Sequence, residues 1–475
     1  MNAAVKSVEF QELNDIVSRI WDRDYTLWSD SPAEITDRLG WLDVADKMKS
    51  EVAALSSLAR QVQNEGIRHI LLLGMGGSSL GAEVLKQCLG VREGWPELVV
   101  LDSTLPAQIS LAADSIDLDR TLFVVSSKSG TTTEPMLLYR LFRRMVENSG
   151  SGGERFIAVT DPGSPLEVMA EREGFRKTFL NPPDICGRYS VLSYFGLVPA
   201  ALAGYDVAQI LKSGIGMSSE CSSRIPTHAN PGALMGASFA SLAASGRDKL
   251  TILTSPSLDS FGLWAEQLLA ESLGKRGKGI VPVTNEPVAD VGSYRQDRQF
   301  VYLKLSGEDS DMDCLTTELA RAGHPTVQYE LTDMSALGGE FYRWEFAVAA
   351  AAAFMGVNPF DQPDVERAKI LARRALESSE SPILSLIPSS EDSINELVSG
   401  MKPGDYLAIL AYVLQTPEHD AALTRLRSFI LEKHRIPTTL GYGPRYLHST
   451  GQLHKGGPDT VAALMIVSPH ERDIA

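Results

Sequence analysis

The sequence predicts an α/β protein with two doubly wound parallel sheets, a helical N-terminal segment and a mixed C-terminal region. Three observations carry that expectation. Short apolar runs alternate with helix-period patterns over residues 61–215, and the alternation begins afresh over residues 230–370. The runs are continuously apolar, as in strands covered on both faces. A chain of 475 residues, 44% of them hydrophobic, can bury more than one such core.

Residues 1–60 read as amphipathic helix and carry Trp21, Trp28 and Trp41. In the first unit HILLLG, ELVVLD, TLFVVSS and RFIAVTD read as strands. The Ser-, Gly- and Pro-rich SGIGMSSECSSRIPTHANPG reads as a boundary. KLTILTS, GIVPVT, FVYLKLS and TVQYEL repeat the same plan in the second unit, which suggests a distant duplication. Residues 371–475 hold helices and the strand-like DYLAILAYV and AALMIV, which periodicity assigns to neither sheet. Before them, SSESPILSLIPSSEDS reads as a surface loop.

The net charge of −16 argues against nucleic acid, which needs a basic surface. It does not exclude an anionic substrate, because screening over roughly 8 Å leaves the local charge of a site decisive. Cys88, Cys186, Cys221 and Cys314 are scattered without a C-x-x-C pair, which predicts reduced thiols and a cytoplasmic protein. MNAAVKSVEF lacks the apolar core of a signal peptide. The longest apolar stretch, Phe346–Val357, is too short to span a bilayer.

Two polar turns follow predicted strands. LLLGMGGSSLGAEVL breaks from strand into glycines and serines and resumes as helix, which points free N–H groups and a helix N-terminus at an anion. A dinucleotide would require G-x-G-x-x-G, but Ser79 stands where the last glycine belongs. Asp102 mimics the ribose-binding acid, so a nicotinamide-dependent dehydrogenase stays open as an alternative. The second turn, VVSSKSGTTTEP, packs six hydroxyl residues and Lys128 between Ser126 and Thr133, ahead of a helix expected near Pro135. Helix capping accounts for one or two hydroxyls. The excess suits a phosphate, whose oxygens each accept several hydrogen bonds.

In FGLWAEQLLAESLGK, Phe261, Trp264, Ala265, Leu268 and Leu269 recur at helical spacing, and Glu271 falls seven residues after Trp264 on the same inward face. A lone glutamate is ordinarily a solvated surface residue. On an apolar stripe it is partly desolvated, which lifts its proton affinity toward the range of a general base. Arg188 precedes a helix-like run, where a cation opposes the helix dipole, so helix stability does not explain it, although an ordinary surface salt bridge could. Gln362 and Lys369 lie seven apart on one helix face, where Lys369 has Glu366 as an ordinary ion-pair partner. No histidine–carboxylate set has metal-ligand spacing.

GMGGSSLG, SSKSGTTTEP, DICGRYSVLSYFG, AESLGKRGKG, NPFDQPDVERAK and YLHSTGQLHKGGP together resemble the phosphoglucose isomerase family, which has two sugar-isomerase (SIS) domains. With WDRDYTLWSD and RLGWLD, the chain is most similar to the isomerase half of bifunctional transaldolase/phosphoglucose isomerase proteins, and it has no transaldolase-like segment. The resemblance implies interconversion of glucose 6-phosphate and fructose 6-phosphate without a cofactor, by ring opening and a cis-enediolate. It implies that Gly77, Ser78, Ser127, Lys128, Ser129, Thr131 and Thr132 hold the phosphate and that Gln362 contacts the sugar. Glu271 would shuttle the proton, Arg188 would stabilise the enediolate, and His448 and Lys369 would open the ring, with His454 a rival to His448. It further implies a homodimer in which the histidine comes from the neighbouring subunit. The sequence departs from the family at three places: Cys186 replaces a glycine, Asp364 a small residue, and the histidine motif follows the lysine motif. A non-enzymatic SIS sugar-phosphate sensor is the second alternative; it would need neither Glu271 nor Arg188.

Overall fold

The computed structural model describes residues 10–148, 150, 152–308, 311–377 and 391–468. Residues 69–180 form a five-stranded parallel sheet: β1 (His69–Leu73), β2 (Glu97–Leu101), β3 (Thr121–Ser126), β4 (Phe156–Thr160) and β5 (Lys177–Leu180), in the order β2-β1-β3-β4-β5. Residues 249–331 form a second parallel sheet from β6 (Lys249–Thr254), β7 (Val281–Thr284), β8 (Arg298–Leu305) and β9 (Thr326–Leu331). Its order, β7-β6-β8-β9, repeats the start of the first. Every residue of β3, β4 and β6 is buried, which is why these segments read as unbroken apolar runs.

The C-terminal strands that sequence left unplaced form a third parallel sheet. β10 (Tyr406–Tyr412) is central, flanked by β11 (Thr438–Tyr442) and β12 (Val461–Val467). One face of β10, with Tyr406, Ala408 and Leu410, packs on Ala270, Val281 and Val283 of the second unit. β5 and β11 escaped sequence reading: they are short, and KTFL and TTLGY are only partly buried. Most of SSESPILSLIPSSEDS (378–390) lies outside the described residues.

One apolar core runs through the N-terminal helices and both larger units. Trp28 and Trp41 are buried in it, and the Trp28 indole donates to the Ala349 carbonyl at 2.9 Å. The stretch read as a boundary is helical in its first part, ending the helix Val207–Glu220. Gly214 there signals close packing rather than a break: a Cβ on it would meet Leu192 and the Gly338 carbonyl. The apolar run at Phe346 belongs to the buried helix Leu337–Met355. Among the described residues no helix is long and apolar enough to cross a membrane.

Candidate active site

β1 and β3 run in register, Leu73 beside Val125, so the two polar turns leave the sheet side by side. The chain passes from β1 to β2 on one flank and returns to β3 on the other. The crevice outside the carboxyl ends of β1 and β3 is therefore the switch point at which doubly wound sheets bind ligands. Ser126 Oγ donates to the Ser78 carbonyl at 2.9 Å and staples the turns together. The helices that follow, Leu80–Leu89 and Thr133–Asn148, begin there, and helix N-termini favour an anion.

Ser78 and Ser127 are buried at the base of this crevice, and Ser127 Oγ donates to Thr132 Oγ1 at 3.2 Å. Ser129 and Thr131 lie outermost, exposed and hydrogen-bonded to each other at 2.9 Å. Gly77 touches the Arg188 turn: a Cβ there would sit 2.1 Å from the Gly187 carbonyl oxygen. Gly130 has φ +65°, and a Cβ on it would meet the Leu166 amide at 2.7 Å. Lys128, expected to help hold the phosphate, is engaged from the side of the next strand. Its ammonium pairs with Asp161 and donates to the Pro183 carbonyl at 3.0 Å.

Glu271 lies near the end of the helix Phe261–Leu273. The expected one-sided stripe is not what buries it. The helix is wedged between the units, and Glu266, Gln267, Glu271 and Ser272 are buried as well as the apolar positions. Burial raises the Glu271 carboxyl above its ordinary range; Arg188, His448 and Gln267 draw it back down. Arg188 Nη1 stands 3.3 Å from Glu271 Oε2 and 3.4 Å from Gln362 Oε1. The rest of its guanidinium donates to Ser272 Oγ (2.9 Å), the Pro359 carbonyl (2.6 Å) and the Asp361 carbonyl (3.0 Å). Cys186 has φ −79°, an ordinary conformation for a side-chain-bearing residue, so the missing glycine does not distort the turn.

The NPFDQ segment is held from below by Lys275, which donates to the Asn358 carbonyl and to Asp361 Oδ1, each at 2.7 Å. Gln362 thereby reaches the Arg188–Glu271 pair. Lys369, one helical stretch on, is exposed and paired with Glu366 at 2.8 Å, so the structure does not bring it into contact with Glu271 or His448. Its link to the site is its field on Glu134. Asp364 has a partner that explains the departure from a small residue: Gln452 Nε2 donates to Asp364 Oδ2 at 2.7 Å, and Gln452 Oε1 accepts from the Asp364 amide at 3.1 Å. That clasp ties the lysine helix to the histidine segment.

His448 lies beside Gln267 and Glu134 of the same chain. Its Nε2 lies 2.8 Å from Glu134 Oε1, and its carbonyl accepts from Gln267 Nε2 at 2.8 Å. Gln267 Nε2 also donates to Glu271 Oε2 at 3.2 Å, so one amide spans base and histidine. Burial pushes the Glu134 carboxyl up, but the His448 contact outweighs it and holds Glu134 below its ordinary range. His454 is different: it is packed against Tyr406 and Tyr446, and burial with Lys455 lowers it to about 4, which leaves it neutral. Glu134 and Gln267 were missed in the sequence. Their signals were position alone, a carboxylate on the first turn after the hydroxyl run and an amide one helical turn before Glu271.

The phosphoglucose isomerase family model matches residues 22–286, more than half of the chain, and takes in both polar turns, Arg188 and Glu271. The chain belongs to the phosphoglucose isomerase family. A glucose-6-phosphate isomerase of Staphylococcus saprophyticus is 32% identical over 76% of this chain and 91% of its own length. Another, of Parabacteroides distasonis, is 28% identical over 70% of this chain and 86% of its own length. Among solved structures, a hypothetical protein of Thermus thermophilus shares the fold with a TM-score of 0.66 and 23% identity, over 78% of this chain and 95% of that one. A glucose-6-phosphate isomerase of Chlamydia trachomatis shares it with a TM-score of 0.60 and 21% identity, over 77% of this chain and 79% of that one.

Family membership disfavours the dehydrogenase, and the geometry agrees. Ser79 is buried, its hydroxyl donating to the Gly76 carbonyl at 3.2 Å, and Asp102 faces Arg445 at 3.7 Å rather than an open ribose site.

Proposed function

We propose that this site interconverts glucose 6-phosphate and fructose 6-phosphate, the aldose–ketose isomerisation of its family. The observation that carries the reading is the buried Glu271–Arg188 pair beside a hydroxyl-rich switch-point crevice. The phosphate sits among Ser78, Ser127, Ser129, Thr131, Thr132 and the amides around Gly77. Lys128 supplies charge from behind the loop, where Asp161 shares it. Anchoring the phosphate fixes the sugar, and such orientation is worth up to about 7–11 kcal/mol of a barrier.

His448, supported by Glu134, exchanges protons with the ring oxygen and the anomeric hydroxyl as the ring opens. Lys369 assists from the rim through the charge it adds near Glu134. Glu271, ionised, takes the proton from C2 of the aldose and returns it to C1. The negative charge of the cis-enediolate develops beside Arg188 Nη1, and Gln362 orients the chain hydroxyls. The desolvated Glu271 carboxylate against the Arg188 guanidinium favours the enzyme over the sensor alternative, which needs neither group. Four unpaired cysteines support a cytoplasmic protein, and the family supports a homodimer.

Glu271→Gln tests the reading. Turnover of fructose 6-phosphate is expected to fall by roughly 10²–10⁴ with the fold retained by circular dichroism. Near-normal turnover in the folded variant would overturn it.

A further inference from the structure

Glu266 is a buried acid that the reaction described above does not use. It lies five residues before Glu271 on the same helix and is 7% exposed. Its Oε1 accepts from Ser449 Oγ at 3.4 Å and its Oε2 from Thr284 Oγ1 at 3.3 Å. Ser449 is the residue after His448. The turn Arg445–His448 begins with Arg445, whose guanidinium faces Asp102 at the end of β2 and also acts on Glu266. The adjacent Gln267 holds the His448 carbonyl. The histidine turn is thus gripped at its start, at its catalytic residue and just beyond it.

We propose that Glu266 is a positioning residue for ring opening, setting the orientation of His448 through Ser449 and Arg445. The inference rests on the reading of His448 as the ring-opening residue. Leucine would fill the same space without desolvating a charge, so packing alone does not account for a carboxylate there. The groups facing it are Thr284 from β7, Ser449 and Arg445 from the histidine segment, Arg427 from the helix Pro417–His434 and Tyr406 from β10. Burial lifts the carboxyl from 4.5 to about 7, against the pull of Thr284, Arg445, Arg427 and Ser449. Ionised, Glu266 accepts from Ser449 and attracts Arg445. Protonated, it loses the attraction, and the turn loses one of its holds.

The test measures anomer interconversion of fructose 6-phosphate by NMR exchange in wild type, Glu266→Gln, Ser449→Ala and His448→Asn. Glu266→Gln stands in for the protonated acid at every pH. Its ring-opening rate is expected to match wild type within about twofold at about pH 5.5 and to fall at least about fivefold below it at about pH 8.5, with KM changed less than about threefold. Taking the ratio of the two rates cancels titrations that both proteins share. A ratio that does not vary with pH, or a change confined to KM, would overturn the proposal. If Glu266→Gln does not fold, Ser449→Ala decides: ring opening within about twofold of wild type at about pH 8.5 overturns it. Unimpaired ring opening in His448→Asn would instead remove the reading of His448 on which the inference rests.

Discussion

At the scale of single residues, the site works because opposed groups share one desolvated space. Arg188 neutralises Glu271 without a bidentate pair. Its remaining donors are taken by Ser272 and two backbone carbonyls, so Nη1 is the part of the guanidinium turned toward Glu271 and Gln362. Glu266 carries a consequence for stability that can be measured apart from activity. Its folded-state proton affinity is raised from 4.5 to about 7, so the folded protein holds this proton more tightly than the unfolded chain. Its contribution is therefore fully present below about pH 4.5 and is lost as pH rises through about 7. Relative to Glu266→Gln, wild type should lose on the order of 3 kcal/mol across that window, read from urea midpoints at each pH. A difference that stays constant with pH contradicts the assignment. Glu271 and Arg188 were legible in sequence because their residue types fit poorly where they stand. Lys369 was legible with its i,i+3 partner Glu366, whereas the partner of Lys128, Asp161, was not, because it lies 33 residues away and a long flexible side chain reaches several neighbours that sequence cannot rank.

At the scale of elements, the inner strands β1, β3, β4, β6 and β8 of the two large sheets were readable because double-sided burial writes itself as apolar runs, whereas the short edge strand β5 was missed. The third sheet was readable only in part: β10 and β12 were strand-like, but β11 was missed and the sheet could not be assembled, because pairing between distant segments leaves no local trace. The Glu271 helix shows the limit of periodicity. A stripe predicts one buried face, whereas a helix wedged among several elements buries its polar face too. The crossing of the Gly77 and Gly187 turns is likewise invisible in sequence, yet it sets the distance from phosphate anchor to Arg188. Gly77→Ala places a methyl 2.1 Å from the Gly187 carbonyl oxygen, so one backbone must move. Such overpacking costs about 1–3 kcal/mol. The variant should melt earlier and show a raised KM for fructose 6-phosphate. Unchanged KM and melting would mean that the two turns are not in contact.

At the scale of the whole molecule, the late position of the histidine motif has a structural consequence. The segment after the lysine helix forms its own sheet on the second unit and places His448 beside Glu134 and Gln267, the latter hydrogen-bonded to Glu271 of the same chain. The Asp364–Gln452 clasp keeps lysine helix and histidine segment together. A site complete in one chain predicts that inactive Glu271→Gln and His448→Asn proteins, mixed after unfolding and refolding together, recover no activity. If subunits exchanged their histidines, up to about a quarter of the sites in an equimolar mixture would regain both groups. The sequence showed that the motif order had changed. The fold shows where that motif lies: His448 stands beside Gln267 and Glu134 of the same chain.

The central claim is that Glu271 carries a proton between neighbouring sugar carbons above a phosphate held at the switch point. Fructose 6-phosphate incubated with the enzyme in D₂O tests it most directly, with deuterium at C2 of the glucose 6-phosphate product read by NMR. The account predicts incorporation at C2 with wild type and its loss by roughly 10²–10⁴ with Glu271→Gln. Labelling of C2 equally fast in the variant would contradict it.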